Sequence, residues 1–171
     1  MKNESFEQFT KRNSKRVYNY ILRMARNRED AEDITQEVFT AVYARFKEIS
    51  PEARDAYLYR SAYNRTVNYS RKRQRDPEVQ QSEFVEPAME EETVADDTAV
   101  VADRNTAIRE ALSRLNDNER AAVDMKYFQN LSYKQIAVAL DITPAAVDSL
   151  LIRARKKLKK IISQDRSDSA V

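Results

Sequence analysis

The chain has 171 residues, 42% of them apolar, which is enough to build helical cores in two small domains. It contains no Cys, no His and no Gly. That composition excludes a disulfide framework, thiolate or imidazole metal sites, catalysis by a cysteine nucleophile or histidine base, and glycine-rich phosphate loops. No catalytic residue, metal ligand or cofactor is expected. Scarce β-branched alternation points to an all-α protein. The net charge of +2 hides a segregation: residues 1–75 carry 17 Lys or Arg against 10 acids, residues 76–103 carry 10 acids and no Lys or Arg, and residues 104–171 carry 13 against 8. Two basic blocks flanking an acidic one suggest two domains that approach polyanions, joined by a segment that avoids them.

The first predicted helix covers residues 6–26, with Phe6, Phe9, Val17, Tyr20, Ile21 and Met24 as its buried stripe and Lys11, Arg12, Lys15, Arg16 and Arg23 facing outward. The amino terminus lacks the apolar core of a signal peptide, and no run approaches ~18 apolar residues, so no membrane insertion and a cytoplasmic location are expected.

The second helix is predicted over residues 29–49. Asp30, Glu32 and Asp33 crowd its first turns, where carboxylates complement the helix dipole. Ala31, Ile34, Val38, Ala41 or Val42, and the stem of Arg45 through to Ile49, form its inner stripe. Asp33, Gln36, Glu37 and Thr40 are then left on or beside an outer face. An acidic face on a basic domain suits a basic protein surface better than DNA.

Residues 50–55 break the pattern before Pro51, and a third helix follows over residues 56–75. Leu58, Ala62, Val67 and parts of Tyr59 and Tyr69 can bury. Arg60, Asn64, Arg65, Asn68, Arg71, Lys72, Arg73 and Arg75 remain for solvent. Tyrosines interleaved with arginines offer stacking surfaces and phosphate contacts to single-stranded nucleic acid, although core tyrosines with a solvated basic end give the same pattern.

Residues 76–103 hold two prolines and no helical stripe of useful length, and read as an acidic, flexible linker. The helical period returns with Ile108, Ala111, Leu112 and Leu115. Asn116 and Glu119 form a capping-box pair that opens a helix to about Tyr127. Ser132 and Gln135 repeat that pair, and Ile136, Ala137 and Leu140 share one face. Residues 141–143 interrupt the helix, and Thr143-Pro144 supplies an N-cap and a first-turn proline for the last helix. There Val147, Leu150, Leu151, Ala154, Leu158 and Ile161 or Ile162 keep the apolar spacing. Arg153, Arg155, Lys156, Lys157, Lys159 and Lys160 cover the rest. A basic helical hairpin and a helix-turn-helix share this pattern; in the latter the start of the last helix enters a DNA major groove. Residues 164–171 read as a frayed polar tail.

Three motifs in order carry a family resemblance. Asp30-Ala31-Glu32-Asp33-Ile34-Thr35-Gln36-Glu37-Val38-Phe39, Leu58-Tyr59-Arg60-Ser61-Ala62-Tyr63-Asn64, and Leu115 to Arg120 with Leu131-Ser132-Tyr133, Ile136-Ala137 and Arg153-Ala154-Arg155 together resemble a bacterial RNA polymerase sigma factor of the extracytoplasmic-function (ECF) group. The resemblance implies a region-two-like helical bundle over residues 1–75, a linker over 76–103 and a region-four-like helix-turn-helix domain over 104–163. It implies core RNA polymerase as a partner, met at the β′ clamp helices and the β flap, with Asp30, Asp33, Gln36, Glu37, Phe39 and Thr40 at the clamp. Promoter DNA is the second partner, both double-stranded and melted. Arg54, Tyr57, Arg60, Tyr63, Asn64, Arg65, Asn68, Arg71 and Lys72 would read and open the minus-ten element. Ser132, Tyr133, Thr143, Ala145, Ala146, Asp148, Ser149, Arg153, Lys156 and Lys157 would bind the minus-thirty-five element. The acidic linker would stand in for RNA in the polymerase cleft, and an anti-sigma factor is a further expected partner.

The chain departs from the family pattern at Asn116 in place of proline, Asn130 in place of glycine, Asp141 at the helix-turn-helix bend, and Asp148 and Leu150 where many relatives are basic. Asn and Asp tolerate left-handed geometry, so the turns should survive. The alternatives to a sigma factor are a stand-alone helix-turn-helix regulator, which has no use for the acidic face of the second helix, and a protein-binding adaptor, which leaves both basic blocks unexplained.

Overall fold

The structure is a computed structural model that describes residues 4–76 and 107–168; the linker expected over 76–103 lies, except for its first residue, outside the described residues. Helix α1 spans Phe6–Ala25. Ser5 Oγ accepts from the Gln8 N–H at 3.2 Å while Gln8 Oε1 accepts from the Ser5 N–H at 3.1 Å, so two of the helix's orphan donors are satisfied reciprocally. Arg26 closes the helix in a left-handed conformation at φ 57°, a place glycine usually takes in chains that contain it.

Helix α2 spans Arg28–Arg45, and its first turn is capped by Asn27, whose Oδ1 accepts from the Asp30 N–H at 2.8 Å. The helix stops short of the predicted Ile49. Residues 46–49 form a turn, and Phe46 takes the inner position expected of Arg45. Phe46 packs near-perpendicular to Phe6 at 5.2 Å and tilted against Phe9 at 5.4 Å, arrangements that suit aromatic quadrupoles. Arg45 is exposed; it pairs with Glu48 at 3.2 Å and lies 5.8 Å from the Tyr57 ring centroid.

A 3-10 turn at Pro51–Ala53 leads into helix α3, Arg54–Arg75, which begins two residues before the predicted start. Helices α1, α2 and α3 pack on one another as a three-helix bundle. Its core holds Phe9, Val17, Tyr20, Ile21, Ile34, Val38, Val42, Leu58 and Tyr59.

Helix α4 covers residues 107–113. Helix α5, Asp117–Val123, opens with the predicted capping box, Asn116 Oδ1 accepting from the Glu119 N–H at 2.9 Å. Its continuation differs from the regular helix expected to Tyr127: Asp124–Phe128 is a π-helical turn, in which the Gln129 N–H donates to the Asp124 carbonyl at 3.1 Å. Widening the turn by one residue brings the Asp124 and Gln129 side chains side by side, with Gln129 Nε2 donating to Asp124 Oδ1 at 3.0 Å.

Helix α6, Tyr133–Leu140, carries the predicted Ser132 and Gln135 capping box and ends on Asp141 in left-handed geometry at φ 56°. The Ile142 N–H closes the turn on the Ala137 carbonyl at 3.0 Å. Thr143 Oγ1 then accepts from the Ala146 N–H at 3.1 Å, and Pro144 opens helix α7, Pro144–Asp168. That helix runs past residue 163, where a frayed tail was expected. Ile136, Ala137, Leu140, Val147, Leu150, Leu151 and Ala154 bury the faces of α6 and α7 that meet. The bend between them is 94°, and no single helix among the described residues is long and apolar enough to cross a membrane.

The two domains are packed together. Helix α3 lies along α6, and the buried apolar cluster is continuous from one domain to the other. Ala139, outside the apolar stripe predicted for α6, is 1% exposed, and Tyr59, expected to bury only in part, is also 1% exposed.

Candidate polymerase and nucleic-acid interfaces

Helical periodicity gathers Asp30, Asp33, Glu37 and Thr40 on one side of α2, with Gln36 flanking them. Asp33, Gln36, Glu37 and Thr40 are exposed, whereas Asp30 is half-buried and Phe39 packs partly into the core. Two of these carboxylates are already oriented by α3. Glu37 Oε1 accepts from the Tyr69 hydroxyl at 2.9 Å and lies near Arg65, whose Nε is 3.6 Å from Oε2. Asp30 Oδ2 pairs with Arg73 Nη1 at 2.7 Å. The Tyr69 phenol is pushed upward in pKa, chiefly by its hydrogen bond to Glu37. Helix α2 thus presents a partly pre-organised acidic face backed by the cations of α3.

On α3, Tyr57, Arg60, Asn64, Asn68 and Arg71 recur at three-to-four spacing as one stripe, with Lys72 beside its end. All but half-buried Tyr57 are exposed. Tyr63 and Arg65 flank the stripe on opposite sides. The Arg65 guanidinium donates to Ser61 Oγ at 2.9 Å and leans toward Glu37. The Tyr63 phenol, half-buried, donates to Asn118 Oδ1 of the other domain; burial is the first cause of its raised pKa.

Arg54 does not join this set. It is 5% exposed, its guanidinium sits 3.8 Å from the Phe46 ring centroid, and it donates to the Glu4 carbonyl at 3.3 Å and the Phe46 carbonyl at 3.5 Å. Stacking on an aromatic and bonding to backbone make it a structural residue of the α2–α3 corner, out of reach of DNA. Neighbouring Arg12 braces the same corner from outside, pairing with Glu4 at 2.9 Å and Asp55 at 3.3 Å.

The helix-turn-helix presents Thr143, Ala145, Asp148 and Ser149 exposed at the start of α7, with Ala146 half-buried. Leu150, which keeps the apolar spacing where many relatives are basic, is 7% exposed and belongs to the core. Of the two departures within α7, Asp148 is therefore the one that faces outward. Arg153 and Lys156 are exposed farther along α7. Lys157 is engaged instead: its Nζ lies 2.8 and 2.9 Å from the two oxygens of Glu119, a carboxylate buried at the start of α5. Its charge is answered by Glu119. Ser132 Oγ is likewise used as a cap, and Tyr133, half-buried, has the Lys126 ammonium 5.1 Å from its ring centroid.

Residues to which periodicity gave only an outward-facing or core place, or none, line the seam between the domains. Arg23, Tyr59, Asp124 and Gln129 meet there through side chains, joined by Arg16 bonding to backbone. Arg120, part of a sequence motif, has a plain structural use: it donates to the carbonyls of Leu112, Ser113 and Leu115 at 3.2, 3.3 and 3.0 Å, closing the corner between α4 and α5. Burial holds its pKa below the usual arginine value.

An acidic helix face, an aromatic and cationic stripe beside it, and a helix-turn-helix on a second domain define a two-domain helical protein built to meet both a protein surface and DNA. Residues 9–76 match the Sigma-70 region 2 family and residues 105–158 match the Sigma-70, region 4 family. Among relatives, ECF RNA polymerase sigma factor SigW of Bacillus subtilis is 30% identical over 85% of this chain and 82% of its own length. SigM of the same organism is 28% identical over 89% and 91%. SigE of Mycolicibacterium smegmatis is 28% identical over 97% of this chain, which spans 65% of that longer protein. The fold is also that of the sigma factor RpoE in complex with the anti-sigma factor NepR from Bartonella quintana, with a TM-score of 0.69, 20% identity and coverage of 94% of this chain and 98% of that one. CnrH in complex with the cytosolic domain of CnrY gives a TM-score of 0.68 at 18% identity, over 94% and 88%. The chain belongs to the ECF RNA polymerase sigma factors. Its place is that of a promoter-specificity factor for core RNA polymerase, and the match across residues 9–76 disfavours a stand-alone regulator.

Proposed function

We propose that the protein divides initiation among three surfaces. The face of α2 formed by Asp33, Gln36, Glu37 and Thr40 docks on the β′ clamp helices of core polymerase, with Asp30 and Phe39 supporting it from behind. The α3 stripe of Tyr57, Arg60, Asn64, Asn68 and Arg71, with Tyr63, Arg65 and Lys72 at its margins, captures the opened minus-ten strand. Unstacking a base costs a few kcal/mol, which aromatic stacking and phosphate contacts offset. Region four, seated at the β flap, places Thr143, Ala145, Ala146, Asp148 and Ser149 over the minus-thirty-five element, with Arg153 and Lys156 on its phosphates and Ser132 and Tyr133 at the edge. The observation that carries this reading is the stripe on α3 that sets a half-buried tyrosine in line with exposed arginines and asparagines, directly beside the acidic face of α2.

The action is binding alone, without a catalytic step, and takes place in the cytoplasm beside the polymerase. RpoE is found with the anti-sigma factor NepR and CnrH with the cytosolic domain of CnrY, and an anti-sigma factor is proposed for this chain as well. Replacing Arg60 and Asn64 by Ala tests the division of labour: open-complex formation should fall while docking on core polymerase is kept. Equal loss at both steps would remove α3 from strand capture.

A further inference from the structure

Helix α7 changes chemistry along its length. From its cap Thr143 to Ile152 there is no Arg, Lys, Asn or Gln, and every cation of the helix falls from Arg153 onward. Ala145, Asp148, Ser149 and Ile152 recur at three-to-four spacing on the exposed face, opposite buried Val147, Leu150, Leu151 and Ala154. The side chains that read a guanine edge, Arg and Lys, and those that read an adenine edge, Asn and Gln, are therefore missing from the turns that a helix-turn-helix sets in the major groove.

What that face does offer is acceptors. The Ser149 hydroxyl donates its proton to the Ala145 carbonyl at 3.2 Å, which leaves its oxygen to accept. Thr143 Oγ1 already caps the helix through the Ala146 N–H at 3.1 Å. Asp148 stands a turn farther on, past the unpaired N–H groups that a carboxylate could cap, and among the described residues no ion pair or hydrogen bond engages its side chain. A free carboxylate brought to DNA is repelled by phosphate and favoured only where a base edge turns a donor toward it. Arg153 and Lys156 lie about 8 and 12 Å farther along the axis, at ~1.5 Å per residue, and can offset the repulsion at the groove wall.

In the major groove cytosine presents its N4 amino donor with no acceptor of its own beside it. Adenine sets the N7 acceptor next to its N6 amino group, while guanine and thymine turn O6, N7 and O4 acceptors outward. With α7 seated in the major groove, a placement taken from the proposed function, we propose that Asp148 is the specificity-determining residue of region four, accepting from the N4 amino group of one cytosine in the minus-thirty-five element and excluding guanine and thymine from that position.

Core RNA polymerase is reconstituted with the full-length protein, with Asp148→Asn and with Asp148→Ala. Each holoenzyme is offered a promoter library with a fixed minus-ten element and a randomised minus-thirty-five element, and the bound duplexes are sequenced. The parent should enrich cytosine over guanine about tenfold or more at one position. Asp148→Asn, which can bond N6 and N7 of adenine together, should move that position to adenine. Asp148→Ala should level it, and both variants should keep the preferences elsewhere in the element. Loss of a negative charge alone would strengthen binding to every sequence alike. Preferences identical in all three proteins, or a variant-sensitive position at which the parent selects a base other than cytosine, overturn the role of Asp148 and uphold the seating of α7. A parent that enriches no minus-thirty-five sequence overturns both.

Discussion

Lys157 separates two accounts of the basic helix α7. By sequence it is one of a row of cations facing phosphate; by structure its ammonium is held between both oxygens of Glu119 at 2.8 and 2.9 Å. Glu119 Oε2 also accepts from the Asn116 N–H at 3.2 Å, so one carboxylate completes the α5 capping box and binds the lysine. In Lys157→Gln the Glu119 carboxylate, with a side chain 3% exposed, keeps only the capping contact, whereas the lysine it loses is 50% exposed. Truncating one partner of a fully buried pair costs about 3–5 kcal/mol, and solvent screening on the lysine side reduces that to about 1–2 kcal/mol here. For a chain of this size the melting temperature should fall by about 3–6 °C. Binding to a minus-thirty-five duplex should keep its salt dependence, because no phosphate contact has been removed. Arg153→Gln and Lys156→Gln should do the reverse, each lowering the slope of log K against log salt by about 0.9 with little change in melting. Thermal denaturation and duplex titration at several salt concentrations give both quantities. A Lys157→Gln protein that melts normally and loses a full unit of salt slope would refute the assignment.

Arg54→Ala should destabilise the first domain by about 2–4 kcal/mol, since it removes a stacked, desolvated guanidinium and its bonds to backbone; denaturant unfolding measures this, and the folded fraction should bind single-stranded DNA like the parent. Asn130 sits at φ 54°, so Asn130→Gly should stabilise the turn before α6 by about 0.5–1 kcal/mol in the same assay. Burial pushes the Tyr20 and Tyr59 phenols above the ordinary value of about 10. Because the folded-state values lie above the unfolded ones, that stability is intact below pH about 10 and is lost as pH rises beyond it. An alkaline titration followed by phenolate absorbance should show these two rings ionising only together with unfolding.

The helix-turn-helix was legible because its signals are local. A cap, its partner three residues on, and an apolar face at three-to-four spacing all lie within one helix, and Ser132, Asn116 and Thr143 behave as such spacing dictates. The turns at Asn130 and Asp141 followed from residue types that enter left-handed geometry, at φ 54° and 56°. Arg54 and Lys157 were misread for one shared reason: a one-dimensional pattern of charge does not say which cation finds an aromatic ring or a buried carboxylate first. The seam was invisible for a stronger reason. Arg23 and Asp124 stand 101 residues apart, and the π turn that aligns Asp124 with Gln129 departs from the very period on which sequence reading depends.

The assignment to promoter-directed initiation is tested most directly by run-off transcription with core RNA polymerase on a genomic promoter library. The account predicts initiation from a defined set of promoters sharing minus-ten and minus-thirty-five elements, dependent on the added protein. It also predicts loss of that activity when Asp33 and Glu37 are changed to Lys. Transcription indistinguishable from that of core polymerase alone would contradict it.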